Sequence, residues 1–132
     1  VLTGITGVNA ELSLGGVRVT QAAADISDAW FGEFMLLWRP TTGRAVSLGP
    51  GSRGSDVAWL RNSLAAIDGR YASADVKSEV FDAELEQLVR SFQRDHRIDV
   101  DGLAGQQTQI IINSLLAVEG TPRLSTSRLA QD

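Results

Sequence analysis

The chain has no cysteine and a single histidine, His96, so disulfides, thiolate metal sites and a cysteine nucleophile are excluded together, and one copy cannot assemble a histidine-rich zinc site. Positive charge is also short. Twelve Lys and Arg stand against 16 Asp and Glu, a formal net charge of −4, which leaves no global basic field to hold nucleic acid or an anionic membrane. Long apolar runs are missing too: the longest, Phe34-Met35-Leu36-Leu37-Trp38, falls far below the roughly 20 residues of a membrane helix, so no direct membrane contact is expected. The first residue is Val1 rather than Met, and the expectation is an excised or processed fragment whose targeting signals lie upstream. What is present, 132 residues with 43% apolar and 21% charged, suits one compact domain, or one plus a small attachment.

Residues 1–46 read as β-rich. Glu11-Leu12-Ser13-Leu14 and Val17-Arg18-Val19 alternate apolar with polar around Gly15-Gly16, the pattern of a hairpin with a two-residue turn. Val1 to Val8 supplies a further strand, and Ala22 to Trp30 a short helix. Glu33 to Trp38, bounded by Gly32 and Pro40, is expected as a strand buried on both faces, although periodicity cannot separate so short a run from a helix.

Residues 47–119 have helical periodicity. Val57, Leu60, Leu64 and Ile67 form one stripe, Leu85, Leu88, Val89 and Phe92 a second, and Ile111, Ile112, Leu115 and Leu116 a third. Three such stripes facing one another make one core. Two of the helices follow a Gly-x-x-Gly turn, Gly51-Ser52-Arg53-Gly54 and Gly102-Leu103-Ala104-Gly105. Ser55 is placed as N-cap of the first helix and Asp82 of the middle one. Glu84 and Glu86 in the first turn of that helix, and Arg94, His96 and Arg97 near its end, suit the helix dipole, so His96 reads as a helix-end cation. Asp68 to Val80 is a polar connection. Residues 120–132, with Gly120-Thr121-Pro122 and a Ser/Thr-rich run, are expected as a flexible tail.

Familiar chemical sites fail on their spacing. Placing Gly102 at the sixth position of a calcium loop puts Arg97 at the first and Thr108 at the twelfth, so two essential oxygen ligands are missing. Gly49-Pro50-Gly51-Ser52-Arg53-Gly54 lacks the Gly-Lys-Ser/Thr ending of a phosphate loop. No cofactor is expected, and the chain is not expected to be an enzyme.

The words of the two turns carry a resemblance. Leu48-Gly49, Gly51, Gly54, Asp56-Val57 and Leu60, then Phe81-Asp82, Phe92-Gln93, and Asp99-Val100-Asp101-Gly102-Leu103-Ala104-Gly105 with Thr108 resemble the small helical peptidoglycan-binding domain of many bacterial cell-wall enzymes. Arg61 departs from that pattern, which more often has glutamine there. Trp30-Phe31-Gly32-Glu33-Phe34-Met35-Leu36-Leu37-Trp38-Arg39-Pro40, followed closely by such a domain, is similar to the periplasmic part of the ExeA/GspA-type ATPases of the general (type II) secretion pathway, where a C39-peptidase-like segment precedes the wall-binding domain. This chain lacks the cysteine and, in that half, any histidine of a C39 protease. The resemblance implies an α+β chain: a small β-rich segment packed on a three-helix peptidoglycan-binding domain. It also implies a periplasmic location, an inner-membrane parent with ATPase activity outside this fragment, an inner-membrane secretion partner subunit and self-association.

Peptidoglycan offers acetylated sugars and stem peptides bearing amides and carboxylates. A site for it needs hydrogen-bonding side chains and exposed backbone amides, joined by an aromatic face or an arginine fork. Those groups converge on Ser52, Arg53 and Asp56 from the first turn, Asp99, Asp101, Gly102 and Gly105 from the second, and Gln93 between them. Gln93 also reads as a buried amide bracing a loop, Asp101 as a turn carboxylate accepting backbone amides, and Arg53 equally as a solvated charge. Trp59 lies off the helix stripe and is expected to pack, with Trp30 and Trp38, against the β-rich segment, its alternative role being ligand stacking. The competing assignments are the targeting module of a wall hydrolase and a protein-interaction module that no longer binds the wall.

Overall fold

The computed structural model describes residues 1–119 and 121, which fall into two compact units, Val1–Leu37 and Trp38–Thr121. The expected tail, 120–132, lies outside the described residues except for Thr121.

The first unit is an antiparallel sheet of three consecutive strands, β1 (Leu2–Thr6), β2 (Asn9–Leu14) and β3 (Val17–Ala22), in the order β1-β2-β3, followed by the short helix α1 (Ala23–Ala29). Leu14 pairs with Val17 across Gly15-Gly16, whose φ angles of 57° and 87° are those of the left-handed two-residue turn that matches strand twist and that glycine adopts without strain. The segment expected as a fourth strand, Glu33 to Trp38, forms none: it runs irregularly with Phe31, Phe34, Met35 and Leu37 exposed. Apolar β-formers become a strand only with a ladder to join, and among the described residues this segment has none. Its local order comes from Trp30, whose indole N–H donates to Glu33 O at 2.6 Å and whose ring meets Phe34 edge-on at 6.3 Å.

The second unit contains three α-helices, α2 (Ser55–Ile67), α3 (Ala83–Asp95) and α4 (Gln106–Leu115). Their apolar stripes close on one core of Val57, Leu60, Leu64, Leu85, Val89, Phe92 and Ile112, all fully buried, with Leu48, Phe81 and Ala104 brought in from the loops. Leu115 is turned outward at 48% exposure, and buried Thr108 completes the inner face of α4 instead. Trp59 is half-buried against this same core, so its indole has an apolar partner within its own unit.

Two caps differ. Asp82 caps α3 as its residue type demands, its carboxylate accepting the Leu85 amide at 2.9 Å. At α2 the capping position is Gly54, and Ser55 is already the first helical residue. The polar connection after α2 also holds a core residue: a 3-10 turn, Gly69–Tyr71, buries Tyr71 edge-on against Phe92 at 5.6 Å while its hydroxyl donates to Asp95 at 2.5 Å. Burial, reinforced by that carboxylate, pushes the Tyr71 pKa up to about 12.

A strap ahead of the first turn belongs to the helical unit. Its attachment comes from two buried amides one turn apart on α4. Gln109 donates to Val46 O at 2.7 Å and to Ala104 O at 2.8 Å, while Asn113 donates to Arg39 O at 3.3 Å and accepts from the Thr41 hydroxyl at 2.8 Å. Residues 39–46 are thereby tied along α4.

Candidate functional site

The two Gly-x-x-Gly turns meet. Leu48 and Ala104 form an isolated antiparallel bridge, with N–H···O distances of 3.2 and 2.8 Å, which sets Gly49 against Leu103. The fit is close at Gly49, where a Cβ would lie 2.6 Å from Leu103 Cδ2 and would require that side chain to shift. The first turn is also backed by the approach to α3: Gly54 N–H donates to Glu79 O at 2.8 Å and Phe81 N–H to Ser52 O at 2.9 Å. One surface therefore carries both turns, although they lie about 50 residues apart in sequence.

Within it the expected residues divide by role. Ser52 is internal to its turn, its hydroxyl accepting the Gly49 amide at 3.0 Å. Gln93 is 1% exposed and fully used: its amide N–H groups reach Asp101 Oδ1 at 2.7 Å, Leu103 O at 3.0 Å and Thr108 Oγ1 at 3.2 Å, and its Oε1 accepts the Gly102 amide at 2.9 Å. Asp101 accepts the Leu103 amide at 2.8 Å as well, and that bond, with the one from Gln93, holds its carboxyl below the usual carboxylate range. Gly102 is buried at φ 77°, and a Cβ there would strike the Arg90 guanidinium at 2.9 Å. Gly105 caps α4. These residues build the turns.

Arg53, Asp56 and Asp99 face outward differently. Arg53 and Asp99 are exposed, and among the described residues neither side chain has a hydrogen-bond or ion-pair partner. Asp56 sits in the first turn of α2 with its side chain 17% exposed and is approached by Arg44 Nη2 at 3.6 Å. The two turns thus offer exposed charges of both signs on a braced backbone.

Three participants escaped the sequence reading. Arg44 lies outside both turns. Arg90 donates to Val100 O at 2.9 Å while Glu86 holds its guanidinium at 2.9 and 3.0 Å, so it props the second turn from behind. Arg61 is wholly buried and donates to Val80 O at 2.8 Å and Asp82 Oδ2 at 2.6 Å. The i,i+4 pair Glu86/Arg90 was a legible signal for one of them. Among the described residues no group of three or more His, Cys, Asp or Glu could hold a metal ion, and no helix is long and apolar enough to cross a membrane.

A three-helix unit with two joined, glycine-started turns defines the class: residues 53–112 match the family described as "Putative peptidoglycan binding domain". The chain is 35% identical over 99 residues, 75% of its length, to General secretion pathway protein A of Aeromonas hydrophila, and spans 17% of that protein. It is also similar, at 28% identity and a TM-score of 0.50, to the crystal structure of a periplasmic domain of the EpsAB fusion protein of the Vibrio vulnificus type II secretion system, over 86% of this chain and 49% of that one. A further likeness, to the SleB N-terminal domain, covers 54% of this chain and 93% of that domain at 27% identity and a TM-score of 0.49. The chain is thus an α+β chain similar to the GspA-type protein, with a helical unit that matches the peptidoglycan-binding domain family over residues 53–112; the C39-like reading of residues 1–46 rests on resemblance alone.

Proposed function

We propose that the helical unit binds peptidoglycan through the surface formed by its two turns, and that the chain serves to hold or position a type II secretion assembly ATPase at the cell wall from the periplasmic side. The observation that carries the reading is the Leu48–Ala104 bridge, which joins the two turns, while Arg53 in the first and Asp99 just ahead of the second are exposed and, among the described residues, have no side-chain partner. The family description names the ligand class, and the two secretion-pathway relatives supply the setting. On this reading the parent is an inner-membrane protein whose nucleotide chemistry lies outside these residues, with a membrane-bound secretion subunit and further copies of itself as partners. The binding module extends from the strap at Trp38 to the end of α4.

Co-sedimentation with purified peptidoglycan sacculi tests the reading. Arg53→Ala is expected to weaken binding by about 1 to 3 kcal/mol, the scale of a charge-assisted hydrogen bond. Arg18→Ala, equally basic and exposed but on β3, is expected to change nothing. Binding that survives Arg53→Ala and Asp56→Ala together, in a folded protein, would move the site elsewhere. The same preparations check the absence of catalysis: the pure chain should release no soluble muropeptides from sacculi, and release that persists with a metal chelator would reveal a hydrolase.

A further inference from the structure

The distribution of arginine makes the strap more than a tether. From residue 34 to residue 55 the sequence has three arginines, Arg39, Arg44 and Arg53, and no aspartate or glutamate, in a chain whose net charge is −4. Two of the three stand on the strap that Gln109 and Asn113 tie to α4, Arg39 through its own carbonyl and Arg44 between the ties at Thr41 and Val46. The third is on the first turn. Arg44 is the one aimed at the site: its Nη2 lies 3.6 Å from Asp56 Oδ2, three residues past Arg53.

That contact is poorly explained as a stabilising ion pair. The Arg44 side chain is 75% exposed and reaches one carboxylate oxygen at a separation too long for a hydrogen bond, and pairs of this kind contribute little to stability. It leaves most of the guanidinium fork directed to solvent. Asp56, 17% exposed and seated in α2, acts as a fixed point that keeps the long side chain beside the first turn without saturating it. A planar fork, half-tethered at Asp56 three residues past the exposed Arg53, is the geometry that receives a carboxylate with two parallel N–H···O bonds.

We propose that Arg44 is a second anion-binding residue of the surface, and that together with Arg53 it takes free carboxylates of the stem peptide rather than the sugar hydroxyls of the glycan strand. The inference rests on the peptidoglycan reading above and adds the part of the polymer that is recognised.

Its test uses the full chain in equilibrium co-sedimentation with intact sacculi and with sacculi whose stem peptides have been removed by an amidase, leaving glycan. Arg44→Ala should weaken binding to intact sacculi roughly tenfold, the loss of one charge-assisted pair, while circular dichroism and melting temperature stay those of the parent. Arg44→Lys, which keeps the charge but not the fork, should lie between the two. The parent should lose affinity on stripped sacculi, and there the Arg44→Ala deficit should vanish. Intact-sacculus binding equal to the parent's, or a deficit of the same size on bare glycan, would overturn the proposal while leaving peptidoglycan binding in place. Failure of the parent to sediment with either preparation would instead overturn the peptidoglycan reading, and the proposal with it.

Discussion

Asp82→Ala is expected to destabilise the helical unit by about 3 to 5 kcal/mol, because it orphans a buried charge. Arg61 is the buried member of the pair, its side chain 0% exposed, whereas Asp82 is 44% exposed. Removing the aspartate therefore leaves a guanidinium in the core with Val80 O at 2.8 Å and a distant carboxylate, Glu84, at 3.8 Å; its Nε and Nη1 already lack hydrogen-bond partners. The same substitution deletes the cap of α3. Asp82→Ser separates the two effects, since serine also caps and should recover only the capping share, about 1 kcal/mol. Arg61→Met in the Asp82→Ala background removes the orphaned charge at similar volume and should recover most of the remainder. Urea unfolding of the four proteins decides it; if the double variant is no more stable than Asp82→Ala, burial of Arg61 is not the source of the cost.

Acid should reproduce this loss gradually. The Leu85 amide, and after it the Arg61 guanidinium, hold the Asp82 carboxyl below its ordinary value, and Asp101 is held low by the Leu103 amide and Gln93. Groups depressed in the folded state contribute stability that is present above their unfolded pKa, near 4, and is lost as pH falls through the folded value. The melting temperature is expected to be flat with respect to these two groups at neutral pH and to fall below about pH 4.

What the sequence made legible follows a physical division. Val57, Leu60, Leu64, Leu85, Val89 and Phe92 recur at helical spacing because each helix must bury one face, so the three-helix core could be read directly. Gly15-Gly16 named its turn because few other residues accept two successive left-handed φ angles. Glu33 to Trp38 was illegible as to outcome: composition favours a strand, but a strand exists only with a neighbour, and which segment pairs with which is not a local property. Tyr71 was hidden in a polar connection, since one buried ring carries no period. Arg44 and Arg61 were missed for the same reason. A charged residue announces neither burial nor its partner, and Arg61 meets Asp82 across 21 positions. Of the site, the two turns were legible through their glycines. Gln93 as a loop brace and Asp101 as a turn carboxylate were legible as well; that Ser52 closes its own turn, while Arg53 and Asp99 stay free among the described residues, required knowing where each hydrogen bond ends.

Gln93→Leu is expected to cost about 3 to 5 kcal/mol and to weaken sacculus binding beyond what partial unfolding explains. Leucine fills much the same space, so little cavity opens, and the cost is that of polar partners left behind. The Gly102 amide is buried and has its acceptor in Gln93 Oε1 at 2.9 Å; orphaning such a donor costs about 1 to 3 kcal/mol, and the lost bonds to Asp101 and Leu103 add about 1 each. Those three residues form the second turn, so its backbone should loosen first. Hydrogen exchange at Gly102 and Leu103 would report that loosening locally, ahead of the global transition. Gln93→Glu sharpens the test. Its carboxylate still accepts from Gly102 but meets Asp101 Oδ1 where an amide donor stood at 2.7 Å. Two carboxylates in contact raise the pKa of one of them, so this variant should be weakest at neutral pH and regain stability as the pH falls through that raised value, while the parent changes little. If Gln93→Glu tracks the parent across that range, the Gln93–Asp101 bond does not hold the turn, and the second half of the proposed binding surface loses its brace.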